Sequence, residues 1–196
     1  MKINLPNKLT IIRVLLVPVF IILFLLSKND INILYFNNYN ISVFRLFALI
    51  VFIIASITDY FDGVIARKYN LITNFGKLMD PLADKILVVS ALMLLSDIKL
   101  FSVVFVIIVV IREISISAIR LVALEQGTVV AASKLGKYKT ATQMIAVVLF
   151  LANVQTINII FYFFVYFVFY ISEFFVIISF IDYIVKNKNA ILSGGM

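Results

Sequence analysis

The chain has 196 residues, 64% of them hydrophobic, with a mean hydropathy of +1.14 and a formal net charge of +7. A soluble domain carries roughly 45–50% apolar residues, so this composition excludes an ordinary soluble globule and points to a membrane protein. With neither Cys nor His in the chain, disulfides, Cys/His metal sites, Ser-His triads and histidine-based phosphoryl transfer are excluded too.

The basic residues stand at the ends of apolar runs rather than on one patch, which speaks against nucleic acid as a partner. Any metal must be held by oxygen ligands. The Asp residues are the obvious source, and they favour a hard cation such as Mg²⁺ or Mn²⁺.

The first apolar run follows Asn4-Leu5-Pro6-Asn7-Lys8 and shows no small-residue cleavage pattern, so it is expected to be a retained span over 8–27. Five further segments approach the ~20 apolar residues a span requires: 42–66, 79–96, 100–124, 138–154 and 157–183. The expected fold is therefore an all-α integral membrane bundle of six transmembrane helices, forming one domain over 1–196. Several spans carry charge: Arg13, Asp62, Arg112, Glu113, Arg120 and Glu173. A charge at membrane depth is costly unless it lines a wet cavity or has a partner, so these impurities point to function. In the third span the apolar core, 86–96, is too short alone and the helix must begin earlier, through Asp80 and Asp84. Pro81 leaves two options there, a helix starting near Asp80 with Asp80 as its cap, or a kink.

Six spans put both termini on one side, along with the connections near 67–78 and 125–137. That side holds Lys2, Lys8, Arg67, Lys68, Lys77, Lys134, Lys137, Lys186 and Lys188, whereas the connections opposite hold Lys28 and Lys99. The positive-inside rule then makes the termini cytoplasmic.

The richest stretch lies between 59 and 85. Asp59, Asp62, Gly63, Ala66 and Arg67 fall on one face of a helix, and Asp80 and Asp84, four apart, share a face on the next. Clustered carboxylates repel unless counter-charged. A pair of divalent ions about 3.5–4 Å apart would solve this and clamp a phosphoryl centre. Gly63 and Ala66 withhold bulk, so that a nucleotide could lie against the helix, and Arg67 could pair with a phosphate at that end.

The spacing D-x2-D-G-x2-A-R-x8-G-x3-D-x3-D is met in full by Asp59, Asp62, Gly63, Ala66, Arg67, Gly76, Asp80 and Asp84. It resembles the signature of the CDP-alcohol phosphatidyltransferase family. The resemblance implies a six-helix membrane fold in a cell membrane, expected to be a bacterial plasma membrane, and a polar active-site cavity at the cytoplasmic end. It also implies a dinuclear Mg²⁺ or Mn²⁺ site and transfer from a CDP-lipid with release of CMP. On this resemblance Asp59, Asp62 and Asp80 are metal ligands, and Asp84 both faces the metals and acts as general base. Asn7, Thr10 and Thr73 match positions that contact the CDP-lipid in relatives, Gly76 belongs to the same signature, and homodimers are common among relatives.

Arg112 and Arg120 lie eight apart and can face one cavity, with Lys134, Lys137 and Lys139 after one short connection. Such cations suit an acceptor phosphate dianion, and Glu113 or Gln143 could orient them or a hydroxyl. The segments IREISISAIR (111–120) and KLGKYKTATQM (134–144) resemble the family's branch that uses glycerol 3-phosphate as acceptor and CDP-diacylglycerol as donor. Inositol phosphate, serine or phosphatidylglycerol are alternative acceptors for the same metal motif. A transporter or channel is the rival from another class, because intramembrane Asp and Arg also mark ion pathways. A non-catalytic assembly protein would have no use for clustered carboxylates. Residues 152–196 carry no functional signal.

Overall fold

The computed structural model describes residues 5–36, 39–68, 74–125 and 133–187. These form six α-helices: α1 (Leu5–Leu26), α2 (Val43–Lys68), α3 (Asn74–Asp97), α4 (Val103–Glu125), α5 (Lys134–Leu151) and α6 (Ile159–Lys186). The helical pattern follows the expected segments closely. In α1 the buried residues Thr10, Arg13, Val17, Phe20 and Phe24 recur at helical spacing, and the exposed residues Ile12, Leu15, Val19, Ile22 and Leu26 form the opposite stripe. The outer stripe is thus as apolar as the inner one. In α6 the outward residues include Ile160, Phe163, Phe167, Phe174, Ile177 and Ile181, and the inward set includes Ser172, Glu173 and Ser179. This is the reverse of a soluble bundle and suits a hydrocarbon surround. The runs Lys8–Asn29 and Ile159–Lys186 are each long and apolar enough to cross a membrane.

In a hydrocarbon surround, burial of apolar surface between helices adds little, and close packing must hold such a bundle. Small residues allow that approach, with Ala48, Ala55, Ala91 and Ala146 all buried. α1 packs against α2 and α3, α5 packs against α6, and α4 bridges α3 and α6. The Phe20 ring meets that of Phe52 at a tilt of 52°, with centroids 5.7 Å apart. A second group gathers where α4 begins and α5 ends: Phe101 stacks on Phe169 at 4.4 Å, and Phe150 meets Phe169 edge-on at 5.7 Å.

Helix ends are fixed by short polar residues. Asn158, in extended backbone, accepts from the N–H groups of Ile160 and Phe161 at 3.0 Å each and starts α6. Ser133 does the same for α5 through the N–H of Gly136, at 3.0 Å. Asn153 turns the chain between α5 and α6 with φ of 59°, a left-handed conformation that Asn tolerates better than most residues.

Two features differ from the sequence reading. The connection after α1 contains an antiparallel hairpin, β1 (Ile33–Phe36) with β2 (Tyr39–Ser42), in which Ile33 faces Ser42 and Phe36 faces Tyr39. The β-branched and aromatic residues of this stretch favour extended backbone, and Asp30 holds the base of the hairpin. Its Oδ2 accepts from the Ser42 hydroxyl at 2.6 Å and from the N–H of Phe44 at 3.4 Å, and Oδ1 accepts from the N–H of Asn32 at 2.8 Å. The second difference concerns α3, which starts at Asn74 rather than 79 and runs on through Pro81. Asp80 is therefore an interior residue of α3 and not its cap.

Candidate active site

The C-terminal part of α2 carries Asp59, Asp62, Gly63, Ala66 and Arg67, and the N-terminal part of α3 carries Gly76, Asp80 and Asp84. Helical backbone on both stretches gives each Asp pair a shared face, at spacings of three and four residues. The side chains of 59–84 lie outside the described residues, as does Thr73. α1 contacts both helices. Asn7 belongs to its first turn, with a side chain outside the described part, and Thr10 follows it, buried at 1% exposure. Among the described residues no group of three or more carboxylates, His or Cys could hold a metal.

Beside this region the structure describes an ionic cluster in full. Glu113 of α4 accepts through Oε1 from Arg112 Nη1 at 2.7 Å and from Lys139 Nζ of α5 at 2.7 Å. Its Oε2 lies 3.5 Å from Lys85 Nζ of α3. Arg112 also donates through Nη2 to the hydroxyl of Ser179 on α6, at 3.2 Å. One carboxylate thus joins three helices, and Arg112 adds the fourth. Among the described residues three cations gather on one carboxylate, and Glu173 of α6 also acts electrostatically on Lys139. A cavity of about 30 Å³ beside the cluster is lined by Lys85, Glu113, Lys139, Thr140 and Gln143 among others. Gln143 is buried, and its Nε2 makes no hydrogen bond among the described residues.

Two turns along α4 from Arg112, Arg120 donates through Nε to the Tyr183 hydroxyl at 3.3 Å, and its guanidinium lies 5.8 Å from that ring. Arg112 and Arg120 therefore both reach α6, at Ser179 and Tyr183, which are themselves one turn apart. Lys134 and Lys137 stand exposed on the first turn of α5 and do not join the Glu113 cluster, whereas Lys139 is buried in it. A Cβ at Gly136, also in the first turn of α5, would lie 3.3 Å from Ser133 Oγ and 3.5 Å from Arg112 Nη2, so the glycine leaves a little room beside the capping hydroxyl.

Sequence reasoning missed Lys85, Ser117, Ser179 and Tyr183. Lys85 follows Asp84 directly, and Ser179 and Tyr183 break an otherwise apolar helix at a one-turn spacing. Glu173 was visible as a charge within a span. Its carboxylate oxygens are buried in α6 and accept no hydrogen bond among the described residues.

An apolar-surfaced helical bundle whose polar and ionic residues collect toward one end, over a cation-rich interior, has the build of a membrane-associated protein acting on anionic groups. The comparisons give the class a family. The chain belongs to the CDP-alcohol phosphatidyltransferase family, whose model matches residues 3–183. It is 42% identical over 188 residues to the CDP-diacylglycerol–glycerol-3-phosphate 3-phosphatidyltransferase of Bacillus subtilis (strain 168), covering 96% of this chain and 97% of that one. The enzyme of the same description from Rickettsia typhi is 41% identical over 143 residues, 73% of either chain. That of Mycoplasma pneumoniae is 37% identical over 151 residues, covering 74% of this chain and 66% of the relative.

Proposed function

We propose that this chain transfers the phosphatidyl group of CDP-diacylglycerol to sn-glycerol 3-phosphate, giving phosphatidylglycerophosphate and CMP. The observation that carries the reading is the similarity, over 96% of the chain, to a relative of that activity. The complete carboxylate motif and the cation cluster support it.

All six helices cross the membrane as one domain, with both termini and the site on the cytoplasmic side. The protein is a multi-pass membrane enzyme in contact with lipid. Single Cys residues near Lys137 and Asn40, in a chain with no native Cys, test the orientation. Labelling of the Lys137 site from outside the cell would reverse it.

The donor set fits a pair of Mg²⁺ or Mn²⁺ ions, since Asp59 with Asp62 and Asp80 with Asp84 offer only oxygen and occupy single faces of two helices that contact each other. When bound, such ions neutralise charge on the pyrophosphate oxygens and on departing CMP. Asp84 accepts the proton of the acceptor hydroxyl as its oxygen forms a bond to the lipid-proximal phosphorus. The bond from that phosphorus to the CMP oxygen breaks in the same displacement. Asn7, Thr10, Gly63, Ala66, Arg67, Thr73 and Gly76 hold the CDP-lipid, with Arg67 matched to a phosphate. Arg112, Arg120, Lys134, Lys137 and Lys139 hold the acceptor phosphate, and Glu113 and Gln143 orient them.

The test is CMP release by purified protein with CDP-diacylglycerol, Mg²⁺ and a panel of acceptors. Glycerol 3-phosphate is expected to be used in preference. Preferred incorporation of inositol phosphate, serine or phosphatidylglycerol would overturn the acceptor, and no CMP release with any of them would overturn the enzyme.

A further inference from the structure

Lys85 follows the proposed base directly on α3, yet consecutive residues on a helix are rotated by about 100°, so it takes a neighbour of its own. That neighbour is α4. Lys85 Nζ donates to the backbone carbonyl of Glu113 at 3.2 Å and to the hydroxyl of Ser117, and its charge lies 3.5 Å from Glu113 Oε2. The Ser117 hydroxyl donates to the same Glu113 carbonyl at 2.6 Å, so Lys85 grips one whole turn of α4.

The grip has two ends. On one side Lys85 is covalently one residue from Asp84. On the other it shares the Glu113 carboxylate with Arg112 and Lys139, each bonded to Oε1 at 2.7 Å. The Glu113 carboxylate is therefore shared by cations of α3, α4 and α5, so that moving one of them shifts the place of the others. Lys85 also lines the small cavity shared with Lys139 and Gln143, on the side of the site read as the acceptor's.

We propose that Lys85 is a positioning residue for the acceptor phosphate, holding Glu113 and through it Arg112 and Lys139 in register with the turn of α3 that carries Asp84. The inference rests on the reading of Arg112 and Lys139 as acceptor-binding groups. Arg and Lys are not equivalent at such a site, but both supply a donor and a charge that Met lacks.

The test compares Lys85→Met with Lys85→Arg in purified, folded enzyme. Lys85→Met is expected to raise the KM for glycerol 3-phosphate about tenfold while the KM for CDP-diacylglycerol moves less than about twofold. Lys85→Arg should recover most of the loss. Equilibrium binding of labelled glycerol 3-phosphate should weaken in parallel with KM. Combined with Glu113→Gln, the effect should be less than additive, because both changes release the same cations. Equal rises in both KM values, no recovery with Arg, or additivity with Glu113→Gln would overturn the proposal. If Lys85→Met does not fold, Ser117→Ala removes one Lys85 partner and leaves the charge, and it should raise the acceptor KM in the same direction; an unchanged KM counts against the role. Should the wild type prefer another phosphorylated acceptor, the same comparisons made with that acceptor separate an error in acceptor identity from an error about Lys85.

Discussion

Arg45, in the first turn of α2, is bonded to Phe150 at the far end of α5: Nη2 donates to the Phe150 carbonyl at 2.7 Å, and Nε donates to that of Leu151 at 3.1 Å. These are among the last carbonyls of α5, where a cation is favoured, and that of Phe150 also accepts from the N–H of Asn153 at 3.0 Å. The guanidinium also lies 5.8 Å from the Phe24 ring.

Arg45→Met should therefore cost about 1.5–3 kcal/mol of stability, the range for hydrogen bonds from a charged donor. Denaturation in detergent micelles measures it. Turnover of the folded fraction should stay within about twofold of wild type, because Arg45 lies at the end of the bundle away from the carboxylate motif. A selective loss of acceptor affinity would contradict that separation.

At the carboxylate motif the expected signature is a split between chemistry and binding. Asp84→Asn should lower kcat by about a hundredfold or more while donor binding persists, since proton acceptance is removed and the side-chain shape is kept. Asp59→Asn and Asp80→Asn should weaken metal-dependent binding of CDP-diacylglycerol as well. Near-normal turnover by Asp84→Asn would assign the base elsewhere.

Arg120 offers a graded test, because Tyr183 holds its Nε at 3.3 Å. Arg120→Ala should raise the KM for glycerol 3-phosphate by about tenfold, and Tyr183→Phe should move it in the same direction by less, with donor KM nearly constant in both. A larger effect from Tyr183→Phe than from Arg120→Ala would place the important group on α6 instead.

Asp30 gives a pH dependence whose sign is fixed by its hydrogen bonds. Donation from the Ser42 hydroxyl, above all, holds its carboxyl below the usual carboxylate range in the folded hairpin. A depressed folded pKa adds stability that is present above the unfolded value and is lost as pH falls through the folded one. The Tm of the wild type should thus exceed that of Asp30→Asn at neutral pH, and the gap should close as the medium is acidified below about pH 4. A gap that widens on acidification would be the wrong sign.

The six helices were legible because apolar runs of membrane length leave little choice of element, and their bounds moved by only a few residues. The start of α3 was harder. Phe75, Leu78, Met79 and Leu82 keep helical spacing there, but Pro81 can either open a helix or lie within one, so the pattern alone left Asp80 as a cap or an interior residue. The hairpin at Ile33 to Ser42 escaped notice because it is held by Asp30 through Ser42, a contact across twelve residues that no local pattern announces. At the site, residue types marked Arg112, Arg120 and Lys139 as cations needing partners. They could not reveal that Lys139 turns inward while Lys134 and Lys137 remain exposed, because that depends on where Glu113 of another helix stands. Lys85 was overlooked for a similar reason: beside a carboxylate motif it reads as a flank, and only its reach to Ser117 shows otherwise.

The interlocked rings of Phe101, Phe150 and Phe169 lend the bundle a mechanical asymmetry. Stacked rings fasten these helices at one end through apolar contact, whereas the carboxylate of Glu113 fastens them toward the other through ion pairs that are costly to break once buried. Helices α4, α5 and α6 are thus tied twice along their length, by two kinds of contact that respond differently to pH and salt.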